Sequence, residues 1–343
     1  KRQTLGHAAG AANSTHQVIN SPNSNGNNIA IGTLSSNGSK GGANITLGGK
    51  TFLNGTGDNN VIAGSLTANN AKATMSIIMG TQSGEKSEGT KNVWLGHYQG
   101  ANSTANNSVL IGSGSSVKAD FTLGIGHYTN VNAKKGLAIG SYNTLSDKAT
   151  ESGVFGQGQY GKNAIDASGS YSIGNYNHIS GNNTFVMGNN VTTALENAVI
   201  LGNDSTDGDV VSTSSYTFKN GTTVNYAGTT PVSTVSVGAK DKERTITNVA
   251  AGRVSATSTD AINGSQLYGV HQMIDSLGQS TNAQLQSSIS HVEQNINRVE
   301  QNIGRVESES NKGDARAAAL AALHPMGYDP DNRIQYMAGY GLS

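Results

Sequence analysis

Residues 156–161 read Gly-Gln-Gly-Gln-Tyr-Gly, which matches the G-x-G-x-x-G pattern of dinucleotide-binding loops. Such a loop needs a strand before it and a helix after it, so that the pyrophosphate lies at the helix N-terminus. No helical pattern follows Gly161, and Gly158 already belongs to a repeat described below. We therefore expect no cofactor at this motif.

His97 and His127 each follow a repeat glycine, so equivalent histidines of an oligomer could approach one another. A metal site needs several ligands close together, and neither histidine has an acidic or cysteine neighbour at ligand spacing. The chain contains no cysteine, which removes disulfides, thiol catalysis and zinc-thiolate sites. We expect exposed turn histidines and no metal.

Hydrolysis of a glycan requires two carboxyl groups roughly 5–9 Å apart. The acidic residues of the first 200 positions are scattered over different repeats, and Trp94 is the one tryptophan that could stack on a sugar. We expect no enzyme, although a trimeric fibre that acts on surface glycans stays open as an alternative. The acids in question are Asp58, Glu85, Glu88, Asp120, Asp147, Glu151, Asp166 and Glu196.

A short apolar phrase that ends in glycine recurs through residues 27–203. Its glycines follow at steps of 16 residues from Gly32 to Gly112, and at steps of 14 to 18 from there to Gly202. A fixed period over many copies predicts a solenoid of strand-turn-strand-turn units. Each unit is too small to bury its own apolar face, so it is stable only when stacked on its neighbours.

Two positions of the phrase are apolar in almost every copy, namely those three and one before the glycine. Ile29 and Ile31 occupy them in the first copy, and Gln157 is the polar exception. Residues two apart lie on the same side of a strand, so this pair is predicted to form the core. A second apolar point at Val117, Val131, Leu145 and Ile179 predicts a second short strand in those turns.

Composition agrees with a stacked solenoid and excludes one class of partner. The 343 residues include 45 glycines, with 5% aromatic and 13% charged residues, so a large globular core is not expected. The 22 basic and 22 acidic residues cancel to a net charge of zero. Because binding to nucleic acid depends on a positive surface, we expect no nucleic-acid partner.

The organisation changes after the repeats. Residues 1–26 have no periodic pattern and are assigned to a cap or irregular segment. In residues 204–238, alternation around Asn220-Gly221 predicts an inserted β-hairpin, and the phrase that ends at Gly238 predicts a last strand of the solenoid. A cluster of charged residues then opens a new module at residues 239–265.

Residues 266–312 carry apolar residues at helical spacing, which predicts a coiled coil. β-Branched residues at both the a and the d positions favour three or more chains over two. The predicted trimer core consists of Ile289, Val292, Ile296, Val299, Ile303 and Val306. Asn282 falls at an a position, where it would set the register or hold an axial anion or water.

Residues 313–343 begin with an alanine-rich helix that Pro325 should stop. From Ile334 to Leu342, apolar residues alternate with small or polar ones over about nine residues. This is typical of a strand of an outer-membrane barrel. A plain amphipathic strand fits the same alternation.

Three modules in this order resemble the YadA-like trimeric autotransporter adhesins. The stretch Asn107 to Ser115 is close to the N-S-V-A-I-G-x-x-S repeat of that family's head. Residues 246–252 and 259–267 resemble its neck, and residues 321–326, 328–332 and 338–341 resemble the start of its membrane anchor. The resemblance covers the chain from about residue 27 onward.

The resemblance implies a left-handed parallel β-roll head, a neck, a trimeric coiled-coil stalk and an outer-membrane barrel of four strands per chain. Only one candidate strand precedes Ser343, so we expect that most of the anchor lies outside this sequence. The implied function is that of a Gram-negative cell-surface adhesin exported by type V secretion and active in virulence. It has no cofactor, and its partners are two further copies of the chain and host matrix proteins of the collagen, fibronectin or laminin class.

The candidate ligand-binding residues lie in the head repeat that matches the family best. They are Asn107, Ser108, Leu110, Ser113 and Ser115, with Leu110 and Ser113 expected to point outward. Val109, Ile111 and Gly112 are expected to serve packing. Self-aggregation of bacteria through the same head is an alternative to the binding of matrix proteins.

Overall fold

The computed structural model describes residues 28–323 together with Pro330, Asp331, Tyr336, Ala338 and Gly339. The chain divides into two compact units, one that ends at Thr247 and one that begins at Asn248. This division falls inside the predicted neck. The predicted cap at residues 1–26 lies outside the described residues, as does most of the predicted anchor strand.

The first unit is a parallel solenoid, as the repeat predicted. Each of the twelve glycine-closed phrases forms one strand of a 13-stranded sheet, here called the main sheet, and neighbouring phrases pair in register. Ile29 lies beside Ile45, for example, and Leu123 beside Leu137. The strands of the chain are β1 (Ile29–Ile31), β2 (Ile45–Leu47), β3 (Val61–Ala63), β4 (Lys72–Thr74), β5 (Ile77–Met79), β6 (Glu88–Thr90), β7 (Val93–His97), β8 (Val109–Ser113), β9 (Ser116–Val117), β10 (Leu123–His127), β11 (Asn130–Val131), β12 (Leu137–Ser141), β13 (Thr144–Leu145), β14 (Gly153–Gln157), β15 (Tyr171–Ile173), β16 (His178–Ile179), β17 (Phe185–Met187), β18 (Thr192–Thr193), β19 (Val199–Leu201), β20 (Ser215–Thr217), β21 (Thr223–Asn225) and β22 (Val235–Ser236).

The predicted core positions of the roll were wrong by one residue. The side chain that points inward is the one two residues before the glycine, whereas the two apolar side chains on either side of it point outward. In β1, Ala30 is buried, while Ile29 and Ile31 are 50% and 41% exposed. In β5, Ile78 is buried between the exposed Ile77 and Met79.

The narrow interior of the roll explains this error. The inward position is occupied by residues as different as Thr46, Trp94, Gly124 and Ser172, because each rung fits only the volume left by its neighbours. The regular apolar pair was assigned to the core because it is the strongest pattern in the sequence. Strand alternation makes it instead the outer face of the main sheet.

The predicted second strand of the turn is confirmed. Val117, Val131, Leu145 and Ile179 are all fully buried. β9, β11 and β13 form one parallel ladder, and β16 pairs with β18 in another. The core of the roll is therefore made by two sets of short strands whose inward side chains meet.

Buried polar side chains tie the rungs together along the stack. Asn44 Oδ1 accepts hydrogen bonds from Asn60 N at 3.0 Å and from Asn60 Nδ2 at 2.9 Å. Asn60 Oδ1 in turn accepts from Ser76 N at 3.0 Å. A buried amide is costly unless it is bonded, so this ladder fixes the register of successive rungs.

The repeat glycines are needed because neighbouring rungs come very close at the turn. Gly126 has φ +136°, a conformation that side chains disfavour, and a Cβ built there would overlap the carbonyl of Gly140. No residue larger than glycine therefore fits at this position of the turn.

Residues 204–238, which follow the repeats, contain the two predicted elements. β20 and β21 form an antiparallel hairpin in which Tyr216 faces Val224, and β22 pairs with β19 as the last strand of the main sheet. The Arg244 guanidinium covers Gly202 and donates to Asn203 O at 2.8 Å and Ser205 Oγ at 2.9 Å. The last rung is thus closed by a side chain from beyond β22.

The second unit contains one helix, α1 (Gly264–Ala321), of 58 residues. At 1.5 Å per residue it is about 87 Å long. It starts two residues before the predicted stalk and continues through Gly313 to Ala321, so the predicted boundary at 312/313 lies within one unbroken helix. Among the described residues, no helix combines enough length and apolar character to cross a membrane.

Candidate functional site

Three of the five predicted ligand-binding residues lie inside the roll. Ser108, Leu110 and Ser115 are at most 1% exposed, so their prediction as recognition residues is corrected. Leu110 fills the inward position of β8. Ser108 Oγ donates to Asn92 Oδ1 at 2.7 Å, and Ser115 Oγ accepts from Thr129 N at 3.0 Å. These side chains hold neighbouring rungs together and do not reach a ligand.

The remaining two predicted ligand-binding residues, Asn107 and Ser113, lie at the surface. Asn107 is exposed and left-handed, with φ 54°, at the turn before β8. Ser113 ends β8 and is partly exposed. The two residues stand at opposite ends of the strand.

Trp94, the one tryptophan, is 1% exposed at the inward position of β7. Its indole Nε1 donates to Ser108 Oγ at 3.0 Å. The aromatic face is enclosed by the roll, so Trp94 cannot stack on a sugar.

The G-x-G-x-x-G motif lacks the geometry of a dinucleotide loop. Its first residues end strand β14, and Gly158 N donates to Ser141 O of the preceding rung at 2.8 Å. In the described part of the chain, the only helix is α1, more than 100 residues further on. Gly156 pairs with Gly140 and closes this rung, so the assignment of Gly158 as the repeat glycine and of Gln157 as its polar exception was wrong by two residues. The residue before the repeat glycine is the apolar Phe155.

His97 and His127 both pack against tyrosine rings. His97 meets Tyr98 edge-on at 4.5 Å, and His127 meets Tyr128 and Tyr142 at 4.3 and 5.4 Å. Within the residues that the structure describes, no group of three His, Cys, Asp or Glu side chains is placed to hold a metal ion.

The acidic residues of the head bond to neighbouring rungs. Glu88 pairs with Lys72 at 2.6 Å, and Asp120 Oδ1 accepts from Asn106 N at 2.8 Å. Glu151 pairs with Lys135 at 2.5 Å, and the hydrogen bond from Lys135 lowers the pKa of this carboxyl. These carboxylates therefore have structural partners within the stack.

The outer side of the main sheet presents large apolar side chains to solvent. Together the residues three and one before the repeat glycines form what we call the apolar face. Contiguous exposed apolar surface of this kind marks an interaction site. Thirteen of its side chains are between 37% and 56% exposed, namely Ile29, Ile31, Ile45, Leu47, Ile77, Met79, Ile111, Phe155, Tyr171, Ile173, Phe185, Met187 and Leu201.

The neck residues of the second unit are fastened to the start of α1. Gln266 Nε2 donates to Gly252 O at 2.7 Å, and Gln266 Oε1 accepts from Gly252 N at 2.9 Å. Asn263 caps the helix by accepting from Gln266 N, and its own Nδ2 donates to Val249 O at 3.1 Å. The motif that resembled the neck is therefore a set of paired contacts, 14 residues apart in the chain.

An ion pair closes the neck loop. Arg253 Nε donates to Asp260 Oδ2 at 2.8 Å, and Arg253 Nη2 donates to Asp260 Oδ1 at 3.1 Å. These hydrogen bonds lower the pKa of Asp260 and raise the pKa of Arg253. Both groups are exposed to solvent, so the pair fixes the geometry of the loop more than its stability.

The predicted trimer-core residues of the stalk lie on one face of α1, because they are spaced three and four residues apart. Ile289, Val292, Ile296, Val299, Ile303 and Val306 are each between 49% and 62% exposed in the single chain. Asn282 continues the same heptad register toward the N-terminus. None of the residues of α1 is buried, so this face has no close packing partner among the described residues of the single chain.

The sequence analysis missed a column of tyrosines on the head. Tyr98, Tyr128, Tyr142 and Tyr176 each stand two residues after a repeat glycine, in a left-handed conformation with φ between 50° and 59°. The signal was visible as a recurring Gly-x-Tyr. It was overlooked because a turn residue was expected to be polar.

Comparisons with known proteins match part of the chain. A family model described as the coiled stalk of trimeric autotransporter adhesins matches residues 245–288. Autotransporter adhesin BtaE of Brucella suis biovar 1 (strain 1330) is 58% identical over 69 residues, which are 20% of this chain and 9% of that protein. The chain thus corresponds to a small part of this relative.

A solved structure also matches. The C-terminal YadA-like domain of BPSL2063 from Burkholderia pseudomallei is 48% identical, with a TM-score of 0.30. The match covers 31% of this chain and 49% of that one. The family model and BtaE confirm the resemblance seen in the sequence, since both are trimeric autotransporter adhesins or parts of them to which this chain is similar.

Proposed function

We propose that this chain is a non-enzymatic bacterial surface adhesin that assembles as a homotrimer and binds host matrix proteins through its β-roll head. The adhesive role is supported by the match of residues 245–288 to the stalk of trimeric adhesins. The stable parallel roll supplies a long scaffold whose outward turns are free to vary. Loops held on a rigid scaffold are a common location of binding residues.

Assembly into a trimer is supported by the apolar surfaces that the single chain leaves exposed in both units. The apolar face of the roll and the heptad face of α1 each need a partner, and two further copies would cover both. β-Branched residues at a and d favour three chains. Three Asn282 side chains would then face the axis, where they would set the register and hold a water or an anion.

The ligand class is proposed from the character of the surface. The chain carries no net charge, so recognition rests on polar and aromatic groups of the turns. Asn107 is exposed and Ser113 is partly exposed, and both remain candidates for ligand contact. The candidate ligands are matrix proteins of the collagen, fibronectin or laminin class, and the place of action is the surface of a Gram-negative cell, with anchorage in its outer membrane.

A solid-phase assay tests this function. The trimeric chain is applied to immobilised collagen, fibronectin, laminin and albumin, and we expect saturable binding to at least one matrix protein and none to albumin. Asn107→Asp with Ser113→Glu should weaken that binding. Asn197→Asp with Ser141→Glu places the same charges at the corresponding positions of other rungs and is the matched control.

Two further assays on the same preparations test the alternatives. Mixing head preparations with two different labels, without any matrix protein, detects self-aggregation. Incubation with a glycoprotein followed by analysis of released sugar detects a glycan-acting fibre. Absence of binding to all matrix proteins together with either of these signals would contradict the proposed adhesion to matrix.

A further inference from the structure

The tyrosine column of the head is interrupted at one place by a glycine. Backbone hydrogen bonds place Tyr98, Gly114 and Tyr128 on three successive rungs, since Gly114 N donates to His97 O at 2.9 Å and Tyr128 N donates to Ser113 O at 2.9 Å. Gly114 shares the left-handed conformation of its neighbours, with φ 69°. The column therefore has the same backbone at all three positions but no side chain at the middle one.

The missing side chain leaves a slot between two aromatic rings. One face of Tyr128 stacks on Tyr142, with centroids 5.8 Å apart and an angle of 14°. On its other side the Tyr128 ring leans over Gly114, where an added Cβ would lie 2.8 Å from Tyr128 Cε1, so the ring takes up part of the space that a side chain would fill. Tyr98 and Tyr128 both line the opening that remains. We call this space the Tyr98–Tyr128 slot.

The slot is open to solvent and uncharged. Its volume is about 320 Å³, and His97, Ser113 and Ser116 add hydrogen-bonding groups to the two rings. In the described part of the chain, no Asp, Glu, Lys or Arg lines it. The combination of aromatic faces with a few polar groups is typical of small-molecule sites.

A second glycine interrupts the same column. Gly158 separates Tyr142 from Tyr176, because Gly158 N donates to Ser141 O and Tyr176 N donates to Gln157 O. Tyr160, from the same rung as Gly158, packs edge-on against Tyr142 with centroids 6.0 Å apart. The space beside Tyr176 is lined by Lys162, whereas no charged side chain lines the Tyr98–Tyr128 slot among the described residues.

We propose that the Tyr98–Tyr128 slot binds one pyranose ring of an uncharged glycan. Rungs two apart are separated by about 9.6 Å. This is the spacing of the backbones, and a ring that contacts groups on both sides at carbon distances of about 3.5–4.0 Å fits within it. The C–H faces of the sugar contact Tyr98 and Tyr128, and its hydroxyls bond to His97, Ser113 and Ser116.

This site adds glycan recognition to the adhesive role proposed above and does not depend on it. An uncharged sugar is favoured over an anion because the lining offers no cation. A sugar is favoured over an apolar planar ring because His97, Ser113 and Ser116 rim the slot with polar groups.

The test is saturation-transfer NMR on the full chain with two probes, N-acetyllactosamine and chitotriose. We expect transfer to the ring protons of at least one probe. Gly114→Asn fills the slot and should weaken binding at least tenfold. The backbone should tolerate Asn, since Asn190 has the equivalent left-handed position in another rung, and the Tyr128 ring must move away from the new Cβ. Tyr128→Ala should weaken binding as well, and Tyr176→Ala, an equivalent tyrosine outside the slot, should leave it unchanged.

Three results would overturn the site: no transfer to either probe, unchanged transfer in Gly114→Asn, or equal loss in Tyr176→Ala. Binding of the chain to matrix protein from which the glycans have been removed enzymatically tests the adhesive function independently of the sugar site. If saturation transfer to the sugar is unchanged in Gly114→Asn while the chain still binds matrix protein, the sugar site is contradicted and the adhesin proposal stands. If sugar binding is lost in Gly114→Asn while no matrix protein is bound, the slot stands and the matrix proposal fails.

Discussion

Gln266 holds the backbone of Gly252 by two hydrogen bonds, with its Nε2 donating to Gly252 O and its Oε1 accepting from Gly252 N. The same Oε1 also accepts from the N–H of Asn263, the residue that caps α1. One side chain therefore links the neck loop to the first turn of the helix.

Gln266→Ala should loosen the neck. Each lost hydrogen bond is worth about 0.5–1.5 kcal/mol, and the reciprocal helix cap is lost with them. We expect the amide of Gly252 to exchange with solvent about tenfold or more faster. Gln294→Ala, at an exposed position of α1, is the control and should leave this amide unchanged. Slow exchange of Gly252 in Gln266→Ala would contradict the role of the contact.

Gly126→Ala should disrupt the roll at one rung. The left-handed conformation costs about 1–3 kcal/mol for a side chain, and the added Cβ would also displace the Gly140 carbonyl. We expect limited proteolysis to cut near this rung. Gly49→Ala is the matched control, because a Cβ at Gly49 meets nothing within 4 Å. Equal resistance of the two variants would mean that the close approach of the rungs is not maintained in solution.

The Arg253–Asp260 pair should show a pH dependence of defined sign. The hydrogen bonds from Arg253 lower the pKa of Asp260 from its ordinary 3.8, so the contribution of the pair is present above that value and is lost as the pH falls through the lowered pKa. NMR titration of the carboxyl should give a pKa below 3.8 in the native chain and a higher pKa in Arg253→Met, where only the backbone N–H of residue 253 still donates to Asp260. Arg298→Met should leave the pKa of Asp260 unchanged. An unchanged pKa in Arg253→Met would contradict the role of the Arg253 side chain in lowering it.

The stalk register predicts which substitutions release the trimer. Replacing Ile296 and Val299 with Ser removes apolar burial of about 1.5–3 kcal/mol per side chain in each chain. We expect a large fall in the melting temperature of the assembly, followed by circular dichroism. Gln294→Ser with Gln301→Ser changes two outer positions of the same heptads and should have little effect. An equal fall in melting temperature for both double variants would show that the predicted heptad face of α1 does not lie at the trimer axis.

The sequence predicted the rungs, the hairpin and the neck because each has a local signal. The glycines reveal the turns directly, and the Asn-Gly pair between two alternating segments marks the hairpin. The helix was also predicted, but its continuation through Gly313 was not, since one glycine costs a long helix only about 1 kcal/mol.

The inward side of the roll could not be read from the sequence. Leu110 and Val109 are both apolar neighbours in one strand, and only the stacking of rungs decides which of them lies inside. The apolar pairs form the exposed outer face of the main sheet, whereas the narrow interior accepts Ala, Thr, Trp or Gly. The same limit hid the Tyr98–Tyr128 slot, because its rings are 30 residues apart in sequence and become neighbours only in the stack.

The central claim is that three copies of this chain cover both the apolar face of the roll and the heptad face of α1. Light scattering coupled to size-exclusion chromatography measures this directly. The account predicts a mass of three times the 35.2 kDa of one chain. A stable monomer or dimer at micromolar concentration would contradict it.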